Sequence, residues 1–265
     1  MPLILQFLKD ESPDVKLRAL EGLAKVVGSV GPRFLEESVL PQLLVLGGDS
    51  LWRVREKVIA QLPLLAEHLG AQSFEDKLLD LFLGTYGDQV NAVRMTATRC
   101  LEPLARVLGA AWVRKCIVPR LVELYRAEGS SYLQRITVLY AVRNLSVRPG
   151  AAAAAGSAAA AARGGGASAG LGTGTPAAVS AAAVDLREVA EDLLPLLLEA
   201  PKDPVPNVRF VSMQVLAEAV RSGTYDRATV AKNILPVVAA CLAADADTDV
   251  RFFAAEAERA ISGAP

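Results

Sequence analysis

Histidine occurs once, at His68, which leaves the chain without a His pair for zinc or a Ser, His and Asp set for nucleophilic catalysis. Cys100, Cys116 and Cys241 have no CxxC spacing. Their odd number, with no signal peptide ahead of them, points to reduced thiols in the cytosol or nucleus. The glycine runs at 164–166 and 170–175 precede no apolar helix start, so neither reads as a phosphate loop. Carboxylates are abundant, but a repeated spacing accounts for most of them, and no acid and base pair stands apart. The expectation is a chain that is not an enzyme, with no cofactor and no catalytic or metal residues.

What the charged residues do show is register. Lys16, Arg55, Arg94, Arg135, Arg209 and Arg251 align within DVKLRAL, RVREKVI, AVRMTAT, LQRITVL, NVRFVSM and DVRFFAA, with gaps of 39, 39, 41, 74 and 42 residues. An acid stands six residues before the base in five of the six: Asp10, Asp49, Asp88, Asp203 and Asp245. The fourth unit has Gly129 in that place, beside Glu128. Acid and base at the ends of successive helices, repeated along a stack, predict a structural ladder of hydrogen-bonded ion pairs between neighbouring turns.

Two-helix units must carry these residues. Pro2, Pro41, Pro119, Pro195 and Pro236 each precede an aligned base by 14 to 16 residues, with Asp80 in the third unit's place. Proline is tolerated in the first helical turn, so a first helix is expected to open there. After each base the apolar residues recur at helical spacing: Val54, Val58, Leu62, Leu65 and Leu69 in the second unit, Val93, Ala97, Leu101, Leu104 and Leu108 in the third. A unit of about 40 residues cannot bury such a face alone. The fold expected is therefore all-α, an α-solenoid of about six stacked hairpins.

One gap of 74 residues holds a period plus an Ala/Gly-rich tract almost free of large apolar side chains. Such a tract cannot offset its ordering entropy by burial. The expected organisation is about four repeats over 1–146, a low-complexity disordered insertion over 147–183, and about two repeats over 184–265. The uncapped apolar start at Leu3, Ile4, Phe7 and Leu8 suggests a fragment of a longer solenoid. With 28 Lys and Arg against 29 Asp and Glu, no bulk basic surface is available to nucleic acid. No window reads as a transmembrane helix, the Ala-rich tract over 151–184 being the nearest candidate and too weakly hydrophobic.

The period and the Pro, Asp and Arg marks resemble HEAT repeats. More specifically, WRVREKVIAQLPLLAEHLG (52–70), FEDKLLDLFLGTYGDQVNAVRMTAT (74–98), SYLQRITVL (131–139), PVPNVRF (204–210) and TDVRFFAAEA (248–257) resemble consecutive repeats of the scaffolding A subunit of protein phosphatase 2A. In that family fifteen repeats form a horseshoe, and these six are similar to the last six. The resemblance implies a non-catalytic scaffold or regulatory subunit, cytoplasmic or nuclear, that holds the phosphatase catalytic subunit. Most repeats expected to hold a regulatory subunit are absent. In the family the turn between the two helices of each repeat makes the contacts, which implies partner-binding roles for Trp52, Arg53, Asn91, Tyr132, Gln134 and Asn207. Leu51 stands where the family has a basic residue, Asn91 where it has an aromatic and Gln134 where it has a histidine. The alternative is a HEAT-repeat transport or adaptor protein, which would bind cargo on its concave face through the second helices.

Overall fold

The computed structural model describes residues 2–29, 31–147 and 184–263. Nearly all of the expected 147–183 insertion lies outside the described residues. Those described form twelve helices and no strand: α1 (Pro2–Leu8), α2 (Pro13–Val26), α3 (32–47), α4 (52–69), α5 (71–84), α6 (Asn91–Leu108), α7 (110–126), α8 (Tyr132–Ser146), α9 (Arg187–Glu199), α10 (Pro206–Arg221), α11 (227–244) and α12 (Thr248–Ser262). Consecutive helices pair into six hairpins that stack in sequence order as an all-α solenoid. The even-numbered helices pack on one another from α2 through to α12.

The predicted apolar faces supply the contact. Val54, Val58, Leu62 and Leu65 of α4, with Val93, Ala97, Leu101 and Leu104 of α6, are each at most 2% exposed. Leu69 and Leu108 pack at the margin of the same core. At roughly 1.5–3 kcal/mol for a fully buried aliphatic side chain, this shared interior is what a lone hairpin lacks. The stack is continuous across 148–183: α8 packs on α9 and α10, Arg143 donates to Glu218 at 2.5 Å, and Thr224 donates to the Ser146 carbonyl.

The first helices do not open at their prolines, with the exception of α1. Pro41, Pro119 and Pro236 lie nine residues into α3, α7 and α11, each two residues after a π-helical turn, at Leu35–Val39, Val113–Ile117 and Val230–Ile234. Pro195 lies inside α9. A mid-helix proline removes a hydrogen bond and its ring clashes with the carbonyl four residues back, and a widened turn relieves both. The distortion recurs without proline in α5, where Leu78 has φ −119°, two residues before Asp80. The bend therefore belongs to the repeat, and proline fits because the site already lacks a regular turn.

Gly70 (φ 77°) and Gly109 (φ 89°) reverse the chain from one hairpin to the next, a conformation that residues with a Cβ rarely adopt. One further expectation is revised. Among the described residues, α11 is by length and composition apolar enough to cross a membrane. Its Val230, Ile234, Val238 and Cys241 instead face the stack.

Candidate partner-binding ridge

The turns joining the two helices of each hairpin repeat one hydrogen-bonding device. The aligned base is the fourth residue of every second helix. Its predecessor by six residues, where it is aspartate, closes the turn by accepting from the backbone N–H two residues on: Asp10 from Ser12 at 2.8 Å, Asp49 from Leu51 at 2.9 Å, Asp88 from Val90 at 2.8 Å, Asp203 from Val205 at 2.9 Å and Asp245 from Asp247 at 2.9 Å. Four of these carboxylates also bind the base of the preceding hairpin. Lys16 Nζ donates to Asp49 at 2.8 Å, and Arg55 Nε to Asp88 at 2.7 Å. Arg135 Nε and Arg209 Nε reach Asp203 at 2.7 Å and Asp245 at 2.8 Å.

The three arginine rungs are bidentate, since Nη2 donates to the second carboxylate oxygen at 2.9 Å for Arg55, 3.1 Å for Arg135 and 2.9 Å for Arg209. Nη1 meanwhile binds the carbonyls of the base's own turn, as Arg55 does at Asp49 and Ser50. Planar guanidinium thus joins two turns at once, a geometry lysine cannot reproduce. Hydrogen bonds from Arg55 and Arg209 hold the Asp88 and Asp245 carboxyls below the usual aspartate range despite partial burial. The same pairs raise both guanidinium values. Asp203 also accepts from the Tyr125 hydroxyl at 3.2 Å.

Three ladder residues have different partners. Asp10 precedes the first base and binds only its own turn. Arg251 follows the last acid and donates to the Asp245 and Ala246 carbonyls at 2.6 and 3.0 Å. Arg94, whose next unit has Gly129 at the aspartate's sequence position, donates from Nε to Thr137 Oγ1 at 3.2 Å in place of a carboxylate.

The six residues implied as partner contacts are divided among four turns beside this ladder. Trp52, Asn91 and Tyr132 each open a second helix and so occupy one register, while Arg53 and Asn207 take the next position. Arg53 lies over the Trp52 ring, 4.7 Å from its centroid, and is exposed; Trp52 itself is half-buried against the core. Asn91 and Asn207 are exposed, Tyr132 is 42% exposed, and Gln134 is half-buried with its backbone N–H capped by Ser131 at 3.2 Å. Leu51 and Leu133, at 43% and 42% exposure, add apolar surface to the same ridge. Leu133 escaped the sequence reading because its spacing alone does not separate it from core leucines.

Away from the ridge, polar groups on the second helices engage one another: Lys57 with Glu21, Thr96 with Glu56, Arg143 with Glu218 and Arg221 with Glu256. His68 packs beside Gly28 of the preceding hairpin. An apolar groove of about 740 Å³ between α1 and α2 is lined by Leu3, Ile4, Phe7, Val15 and Ala19.

No protein-family model matches the chain, and no curated protein matches it in sequence. Among solved structures, the chain is similar to Cex1p, with a TM-score of 0.58 at 15% identity, over 98% of this chain and 42% of that one. It therefore spans less than half the length of that protein and shares its fold alone. A designed armadillo repeat protein in complex with the peptide (KR)4 aligns over 98% of both chains, at 17% identity and a TM-score of 0.44.

Proposed function

We propose that the chain is a non-catalytic scaffold subunit of a protein serine/threonine phosphatase 2A-type complex, acting in the cytoplasm or nucleus and holding the catalytic subunit on its turn ridge. The mechanism is positioning. A stiff stack of hairpins presents the enzyme, and the chemistry belongs to the bound subunit. The family assignment rests on the residue segments that resemble the phosphatase scaffold. The observation that carries the ridge as the binding surface is the row of Trp52, Asn91 and Tyr132 at the first position of successive second helices, with Arg53 and Asn207 at the second. These side chains stand beside ladder bases that are already engaged. Aromatic and arginine residues are the usual anchors of protein interfaces.

Calorimetric titration with a phosphatase 2A catalytic subunit tests the reading. Binding by the wild type should weaken by about 2 kcal/mol or more in the double variant Trp52→Ala, Arg53→Ala, as expected for a paired anchor. A folded chain that does not bind would overturn the assignment. Binding that is unchanged in the double variant, but lost when Arg143 and Arg221 are replaced, would favour cargo on the concave face. That alternative must break the pairs those residues already make with Glu218 and Glu256.

A further inference from the structure

The ladder lacks one rung, between the third and fourth hairpins, and the base there remains buried. Arg94 is 6% exposed. Its Nη1 binds the Asp88 and Gln89 carbonyls at 2.7 and 3.2 Å, as in the complete rungs. Where a carboxylate should bridge Nε and Nη2, two neutral oxygens stand instead, Thr137 Oγ1 and Asn91 Oδ1, each at 3.2 Å. Thr137 is tied elsewhere, donating to the Leu133 carbonyl at 2.7 Å. Of the five N–H groups of the guanidinium, one on Nη2 is left without an acceptor. Among the described residues no carboxylate lies within 4.0 Å of the Arg94 nitrogens, although the Asp88 carboxyl is near enough for the Arg94 charge to lower it.

Two features of the fourth turn accompany the missing rung. Counting back from Arg135, the exposed Gly129 falls where the other units have aspartate, but its φ of 83° departs from the −59°, −62° and −68° of Asp88, Asp203 and Asp245, and a Cβ built there meets no atom within 4 Å. Next to it the Ser130 hydroxyl is buried with no hydrogen-bond partner. Arg94 keeps the Asp88 carboxylate of its own turn nearby, but its Nε and Nη2 meet only neutral oxygens where the complete rungs have a carboxylate, so the rung is incomplete.

We propose that this vacancy receives an aspartate or glutamate side chain from a protein partner, which takes the position that an aspartate of the chain holds in the other four rungs. The proposal rests on the ridge as the partner surface and adds to it a recognition chemistry. Asn91 is exposed and holds Arg94 by a single 3.2 Å bond, so its side chain can turn aside and open Nη2 to an incoming carboxylate. Tyr132 and Leu133 supply an exposed apolar rim on the fourth turn. Three of the six implied contacts, Asn91, Tyr132 and Gln134, thus flank the missing rung. The bidentate geometry of the complete rungs suits a planar carboxylate, and the buried guanidinium would reject its uncharged amide.

The test is a selection from a displayed random dodecapeptide library on the full chain, followed by binding of a selected peptide in synthetic form. The selected peptides should share one acidic position, and the Asp→Asn or Glu→Gln analogue should bind at least about tenfold more weakly. Gly129→Asp restores a carboxylate at the sequence position of the ladder aspartates and should abolish peptide binding. It should also melt above Gly129→Asn, which has the same positive φ of 83° to accommodate but no charge. Failure to select peptides, selected peptides with no acidic position, or equal binding to Gly129→Asp would each overturn the proposal. If the catalytic subunit fails to bind while acid-dependent peptides still do, the phosphatase assignment falls and the carboxylate site stands.

Discussion

Replacing Asp88 by alanine separates the two roles of the ladder aspartates. Asp88 receives two hydrogen bonds from Arg55, at 2.7 and 2.9 Å, and one from the Val90 backbone at 2.8 Å. The Arg55 side chain is 17% exposed and that of Asp88 11%, so the pair is largely sheltered from water. Breaking a buried pair from one side typically costs 3–5 kcal/mol; Arg55 keeps its bonds to the Asp49 and Ser50 carbonyls, so the lower part of that range, about 3 kcal/mol, is expected. For a chain of this size that is a fall in Tm of roughly 10 °C. Asp10→Ala supplies the contrast. It loses only the 2.8 Å bond to Ser12 and should cost about 1 kcal/mol or less. Asp88→Asn should fall between, because the amide oxygen can still close the turn at Val90. Urea melts followed by circular dichroism measure all three. Equal losses for Asp10→Ala and Asp88→Ala, or a neutral Asp88→Asn, would mean that turn closure and not the ion pair stabilises the stack.

Four further outcomes are expected. Asp88 and Asp245 titrate below the ordinary aspartate value of about 3.9, so their contribution is complete above that pH and lost as pH falls through their folded values; acid melts should show the Asp88→Asn penalty shrinking below about pH 4. Burial pushes the Cys100 thiol up to about 12 and raises Cys116 and Cys241; a disulfide-exchange reagent at pH 8 should label none of the three in the folded chain and all of them in urea. Gly22→Ala, inside α2 with no atom within 4 Å of the added carbon, should stabilise by roughly 0.5–1 kcal/mol, whereas Gly70→Ala at φ 77° should destabilise by more than about 1 kcal/mol, both read from urea midpoints. Hydrogen exchange should be faster at the 127–131 turn than at the 88–90 turn, since Gly129 provides neither the turn closure nor the rung that Asp88 does.

The period, the helical hairpins and the register of acids and bases were legible because each is a local pattern repeated several times, and repetition separates it from chance. Proline was read wrongly for a physical reason. Its tolerance at a helix start is a rule for regular helices, and these first helices carry a widened turn that proline can also occupy. Gly70 and Gly109, both following leucine and preceding alanine at a separation of 39 residues, were an available signal for the joints between hairpins. The substitute partners of Arg94 were not available in that way. Thr137 is 43 residues away in sequence, and a threonine on an amphipathic helix announces nothing about the base it will meet.

The ladder also bears on why the ridge can serve as a binding surface. An aspartate that closes its own turn and grips the preceding hairpin makes each turn conditional on its neighbour, so turns 48–51, 88–90, 203–205 and 245–247 are fixed relative to the hairpin before them. Side chains mounted beside them, such as Trp52 and Asn207, are presented on a backbone already ordered, which reduces what a partner must immobilise on binding. The fourth turn departs from this arrangement. Its residues Tyr132 and Gln134 follow a glycine at φ 83°, and the arginine meant to hold the turn has no carboxylate to grip. A partner that supplied one would order that turn and satisfy a buried charge in the same step. Recognition there would thus be coupled to completing the fold, whereas along the rest of the ridge the fold is complete beforehand.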